Sequence, residues 1–240
     1  MKEIIAMHGW AGDSNQWSTW IDYFQDWEWQ TAERGYKDLC PSTPKWKNDL
    51  SQAGLKRVAI CHSLGSHLIE KEVLYSANHV VLINSFSRFI PTGKENRPVT
   101  MALNRMMNAI NTPNEESMLR KFHIKSHKPN NINMESHESY LLGVSDSGRL
   151  RLKNDLKLLI SSDSLPTGLN ADAKVLIINS NKDYILANET KKKLAEDLTS
   201  HLNEEPKIIN LKDEGHSISK RKNIKRIKHW LEFDHAKNMV

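Results

Sequence analysis

Cysteine is nearly absent: two residues in 240, Cys40 and Cys61, which excludes a disulfide framework and leaves no metal-ligand spacing. No apolar run approaches the roughly 20 residues a membrane-spanning helix needs. The segment Met1–Gly9 has too short an apolar stretch for a signal peptide and reads as a first strand, so a cytoplasmic location is the expectation. Charge of one sign is scarce too. The net charge is +5, from 34 basic and 29 acidic residues, too mild to imply nucleic acid, and no nucleic-acid motif occurs. With 8 Pro and 10 Gly the composition is neither disordered nor fibrous. The basic excess is concentrated in two runs without acidic residues. Arg120, Lys121, Lys125 and Lys128 lie within 117–134, and Lys220, Arg221, Lys222, Lys225, Arg226 and Lys228 within 219–228. Such runs are usually solvated helix faces.

What is present is a series of short buried strands alternating with helical patterns. Lys2–Met7 is a run of β-formers that stops at His8-Gly9-Trp10-Ala11-Gly12. Asp13 or Ser14 caps a helix whose stripe of Trp17, Trp20, Ile21 and Phe24 faces a core. Trp27–Glu33 reads as a strand, Lys45–Ala53 as a helix closed by Gly54, and Arg57–Ile60 as a strand leading into a helix at His67–Leu74. His79–Asn84 is the next strand, which makes a βαβ unit of a parallel sheet. From Phe86 to about Asn170 the pattern is helical and rich in Met and Asn. Expected helices lie over Met101–Ile110, Ser117–Ile124 (ended by His127-Lys128-Pro129), Leu141–Val144 and Leu150–Leu159. Strands resume at Lys174–Asn179 and Lys207–Leu211, with a helix carrying Leu194 and Leu198 between them. A basic helix with Ile224, Ile227, Trp230 and Leu231 follows. The expected organisation is an α/β core of residues 1–86 and 171–240, with residues 87–170 as a helical lid inserted between sheet strands, over the strand ends where open α/β sheets bind ligands.

Candidate chemistry collects at those ends. Strand, sharp turn with Ser63 at its apex, then a helix opened by Gly65 is the context of a nucleophile elbow, with Cys61 where the first Gly of Gly-x-Ser-x-Gly usually stands. The Leu64 backbone N–H, and that of Trp10 in the His-Gly loop, can meet a developing oxyanion. Asp183 and His216 leave later strands. Serine, acid, histidine is the chain order of α/β-hydrolases. Serine needs a base to take its proton, histidine titrates near working pH, and Asp183 would fix the imidazole tautomer. Asp172 lies at the wrong end of its strand and Asp213 too near His216 to replace Asp183. His62 is expected to point aside, while His123, His127 and His137 fall in the lid.

On these residues the chain resembles the α/β-hydrolase superfamily over its full length. It is most similar to the carboxylesterases that demethylate pimeloyl-[acyl-carrier protein] methyl ester in biotin synthesis. The likeness rests on His8-Gly9-Trp10 with Trp17, His62-Ser63-Leu64-Gly65, Asn84-Ser85-Phe86-Ser87, Met118-Leu119-Arg120-Lys121-Phe122, Asp183 and Gly215-His216. The family's Gly-Trp-Ser-Leu-Gly reads Cys-His-Ser-Leu-Gly here. The resemblance implies an α/β-hydrolase fold and a Ser63–His216–Asp183 triad acting through an acyl-enzyme. It implies an oxyanion hole of Trp10 and Leu64 and a substrate pocket walled by Trp10, Phe86 and Phe122. An acidic acyl-carrier protein would dock on Arg120, Lys121 and Lys125. Neither a cofactor nor a metal is expected, and the chain is expected to act as a monomer. A broader small-ester or thioester hydrolase, and a non-catalytic binding module on the same scaffold, stay open.

Overall fold

A computed structural model describes residues 1–47, 54–130 and 143–233. Six strands form one parallel sheet: β1 Lys2–Met7, β2 Glu28–Ala32, β3 Lys56–His62, β4 His79–Ile83, β5 Lys174–Ser180 and β6 Lys207–Leu211. Their spatial order is β2-β1-β3-β4-β5-β6. The helices among the described residues are α1 Ser18–Ile21, α2 Gly65–Leu68, α3 Lys71–Ser76, α4 Asn96–Ala109, α5 Glu115–His127, α6 Asp146–Ser161, α7 Asn188–His201 and α8 Arg221–Phe233. A 3-10 turn, Ser14–Trp17, precedes α1.

The central strands are apolar on both faces because helices cover both. Ile5, Ala59, Val80 and Ile177 point to the side packed by Val73 and Leu74 of α3 and Leu194 and Leu198 of α7. Their neighbours Ile4, Val58, Val81 and Leu176 point to the other side, against Trp17, Trp20 and the apolar stripe of α8. Each buried Val, Leu or Ile among them contributes about 1.5–3 kcal/mol by leaving water. A third core lies over the strands' C-terminal ends. There Leu103 of α4, Leu119 of α5 and Leu152, Leu156 and Leu159 of α6 close on Trp10, Leu64 and Phe86. α5 carries Glu115 and Glu116 in its first turn and Lys125 and His127 in its last, which complements the helix dipole.

Several expectations are corrected. The helix after the elbow is two pieces, because Ile69 (ψ 145°) and Glu70 (ψ 135°) are extended between α2 and α3. The Trp17–Phe24 stripe is carried by a 3-10 turn and one turn of α-helix, and Ile21 is exposed rather than buried. Of the expected helix at 45–53, residues 45–47 are irregular and 48–53 lie outside the described residues, as do Leu141, Leu142 and His137. Among the described residues no helix is long and apolar enough to cross a membrane.

Candidate active site

Ser63 follows β3 directly and adopts φ 54°, a left-handed conformation that side chains other than Gly rarely occupy. The turn is held from both ends. The Ser63 N–H donates to the Ile83 carbonyl (2.8 Å), and the Ser85 hydroxyl donates to the Ser63 carbonyl (2.8 Å). Gly65 is required here, since a Cβ would stand 2.5 Å from the Met7 carbonyl oxygen and 2.7 Å from that of His8. Gly9 brings the loop after β1 close to the elbow, because its added Cβ would meet the Ser63 Cβ at 3.0 Å. Cys61 is fully buried in the sheet's core, and burial pushes its thiol up, so it packs as a small apolar group.

Asp183 lies beyond β5. Its Oδ1 accepts the N–H groups of Ile185 (2.7 Å) and Leu186 (3.0 Å), and its Oδ2 faces His216 Nδ1 at 2.9 Å. Burial works against its charge, but His216, the Leu186 N–H and Lys191 more than offset it and hold the carboxyl below the usual carboxylate range. An ionised Asp183 only accepts, so Nδ1 of His216 carries the proton and Nε2 is left as the basic nitrogen. Lys191 is itself anchored, its ammonium donating to the Ser180 carbonyl at 2.7 Å. The rejected acids lie on the surface: Asp172 accepts from Asn203, and Asp213 pairs with Lys222.

Ser63 and His216 line one cavity of about 340 Å³. Trp10 and Phe122 form part of its wall, edge to face with ring centroids 4.9 Å apart. The Trp10 indole N–H is taken by the Leu152 carbonyl (3.0 Å). The backbone N–H groups of Trp10 and Leu64, the expected oxyanion donors, have no partner among the described residues. Phe86 is not on the wall. It is fully buried, stacked on His67 and edge-on to Phe89, because the Phe86 carbonyl is drawn to His67 Nε2 (2.9 Å). Among the three described helices between β4 and β5, α5 supplies cavity wall, through Phe122, His123, Ser126 and His127. The 13–20 segment, with Asn15, Gln16, Trp17 and Trp20, lines it as well, as do Ser217, Ile218 and Ser219. Lys121 and Lys125 are exposed on α5, whereas Arg120 pairs with Glu116 at 3.3 Å. No group of three metal-ligating side chains stands together among the described residues.

Comparison with known proteins bears on the fold. No sequence family matches the chain, and no curated protein does. Solved structures match throughout its length. An esterase from Exiguobacterium antarcticum is 14% identical, with a TM-score of 0.69 over 97% of this chain and 92% of its own. A putative aryl esterase from Burkholderia cenocepacia is 15% identical, with a TM-score of 0.66 over 100% and 92%. An α/β-hydrolase enzyme from a Medee basin deep-sea metagenome library is 15% identical, with a TM-score of 0.63 over 96% and 87%. The fold is that of the α/β-hydrolases.

On this α/β-hydrolase fold the three sequence-derived candidates Ser63, Asp183 and His216 follow β3, β5 and β6, at one end of the sheet. Sequence reasoning missed the side chains that hold their loops. His62, expected to point aside, donates from Nε2 to the His216 carbonyl at 2.9 Å, and burial, with His216 beside it, pushes its pKa down to about 3. Asn84 donates to the same carbonyl at 2.7 Å. Their signal was positional, since each is the first or last polar residue at a strand's C-terminal end.

Proposed function

We propose that the protein is a serine ester hydrolase. The supporting observation is His216, paired with Asp183 behind it, lining one cavity with a serine held in a left-handed elbow. Nε2 of His216 takes the Ser63 hydroxyl proton as Oγ attacks the ester carbonyl. The resulting oxyanion rests on the N–H groups of Trp10 and Leu64. His216 returns the proton to the leaving alcohol, water then attacks the acyl-enzyme by the same route, and the acid is released. No cofactor enters the cycle.

For the substrate we propose the methyl ester of pimeloyl-[acyl-carrier protein], giving methanol and the free carboxylate. The resemblance in the elbow and in the 118–122 segment supports it, with Lys121 and Lys125 as the exposed cations to meet an acidic carrier. A second reading, a hydrolase of small free esters, is favoured by the cavity itself. It is near the small end of ligand sites, and Asn15, Gln16, His127 and Ser219 make it partly polar.

The test is methanol release from the carrier-linked methyl ester, beside a p-nitrophenyl ester series, with Ser63→Ala as control and a fluorophosphonate label on Ser63. Turnover of the carrier-linked ester that Ser63→Ala abolishes supports the first substrate. Turnover of free esters alone overturns it and keeps the hydrolase. No turnover and no label overturn both.

A further inference from the structure

The loops of Ser63 and His216 are joined through two consecutive side chains that follow β4, Asn84 and Ser85. Both are buried. Asn84 has φ 44°, a left-handed turn that Asn tolerates better than most residues and that swings its amide across the sheet's end. Its Oδ1 accepts the Ser180 N–H at 2.8 Å, which orients the amide and leaves Nδ2 to donate. Nδ2 reaches the His216 carbonyl at 2.7 Å and Ser180 Oγ at 3.0 Å, with the Gly215 carbonyl at 3.3 Å. His62 Nε2–H reaches the same His216 carbonyl, so two donors hold one oxygen. On the next residue the Ser85 hydroxyl donates to the Ser63 carbonyl, and because its proton is committed there, Ser66 Oγ donates to Ser85 Oγ at 2.7 Å. One corner of the chain thus grips the backbone of the proposed base with one side chain and that of the proposed nucleophile with the next.

We propose that Asn84 and Ser85 are positioning residues that together set the approach of Ser63 to His216. The proposal rests on the hydrolase reading above. Neither side chain touches the cavity; both act on the carbonyls of residues that do. A rigid corner matters because a displacement of about 1 Å at a reacting pair costs on the order of 10²-fold in rate.

The experiment compares wild type, Asn84→Asp, Ser85→Ala and Ser85→Thr. Turnover of a p-nitrophenyl ester is measured per fluorophosphonate-titrated site, together with the downfield proton resonance of His216 Nδ1–H against Asp183. Asn84→Asp keeps the shape, but an ionised carboxylate cannot donate to the His216 carbonyl. It should lower kcat by about 10²-fold, with KM changed by less than about twofold, and shift or broaden the resonance. Ser85→Ala should lower kcat by about tenfold, and Ser85→Thr, which keeps the hydroxyl, should restore most of it. A kcat within about twofold of wild type in both Asn84→Asp and Ser85→Ala, with the resonance unmoved, overturns the proposal. A wild type that takes no fluorophosphonate overturns the hydrolase reading instead. In that case the resonance still decides: moved in Asn84→Asp, the corner orients His216; unmoved, it does not.

Discussion

Helices α5 and α6 both lie between β4 and β5 in the chain and close on the same core, but they hold it at different places. α6 is tied to the loop after β2. The Arg34 guanidinium forks onto Asp155 at 2.8 and 2.7 Å, the Tyr36 hydroxyl donates to Asp155 at 2.6 Å, and Arg151 donates to the Gly35 carbonyl at 2.8 Å. α5 leans on the His216 loop through backbone: the Ser217 N–H donates to the Ser126 carbonyl at 2.9 Å. Just beyond α5, Asn130 donates to the buried Glu214 at 3.0 Å, whose other oxygen accepts the Lys220 N–H at 2.8 Å. Each helix is admitted by a glycine. A Cβ on Gly148 of α6 would stand 1.9 Å from the Tyr36 carbonyl oxygen, and a Cβ on Gly215 would stand 1.9 Å from that of Lys128. The contacts are alike, but one fastens a helix to scaffold and the other fastens a helix to the loop of the proposed base.

The largest effect should come from breaking that parallel. Gly215→Ala pushes the Lys128 carbonyl and the His216 loop apart, so ester turnover per folded molecule should fall by on the order of 10²-fold. Gly148→Ala carries the same clash into α6. It should cost about 1–3 kcal/mol in denaturant unfolding while turnover per folded molecule stays within about twofold. Equal losses of turnover in the two would erase the distinction.

Next is Asp155→Ala, which leaves Arg34 and Tyr36 facing an empty site. Arg34 is about one-third exposed and regains water, so the loss should sit near the low end for a broken buried pair, about 3 kcal/mol by urea unfolding. Ester turnover of the fraction that remains folded should hold. A stability loss below about 1 kcal/mol would show that the apolar face of α6, not this network, anchors the helix.

A smaller effect concerns pH and reaches the α5 side through His62. Its folded pKa, about 3, lies below the roughly 6.5 of an unfolded histidine. The unfolded chain therefore binds the extra proton first as pH falls. The stability that neutral His62 contributes is complete above about pH 6.5 and is lost progressively towards pH 3. At pH 5 the loss from this group is roughly 2 kcal/mol. Denaturant midpoints at pH 7 and pH 5 should differ less in His62→Gln, which keeps a donor but does not titrate. An unchanged difference would mean that His62 is not the group responsible.

The same comparison explains what the sequence revealed. Lys2–Met7 and Lys207–Leu211 were legible to the residue, because a strand pattern is local and its ends are marked by His-Gly and by a charged turn. Ser63, Asp183 and His216 were legible because each sits at the first turn beyond a readable strand. What was hidden is what depends on a partner remote in the chain. Phe86 has the composition of a pocket wall, but its backbone bond with His67 turns it inward. The break at Ile69 and Glu70 interrupts an acceptable helical pattern. Asn84 and Ser85 look like an ordinary turn until the Ser63 and His216 carbonyls are brought to them.

The smallest effect tests the outer surface of α5. At about 100° per residue, Phe122 and Ser126 face inward, His123 and His127 fall on one flank, and Lys121 and Lys125 fall on the other. The histidines line the cavity, and the lysines stand exposed away from it. Charge reversal by Lys121→Glu with Lys125→Glu should thus cost no more than about 1 kcal/mol of stability, from the lost complement of Lys125 to the helix dipole, and leave turnover of small esters unaltered. If an acidic carrier presents the substrate, the same variant should raise KM for the carrier-linked ester, more at low salt than at high, since exposed charges act over about 10 Å at 0.1 M salt. A KM that rises equally for free and carrier-linked esters would place the lysines' influence inside the cavity and dissolve the separation between the two flanks of α5. A KM that rises for neither would leave α5 as a wall for small esters and remove the carrier.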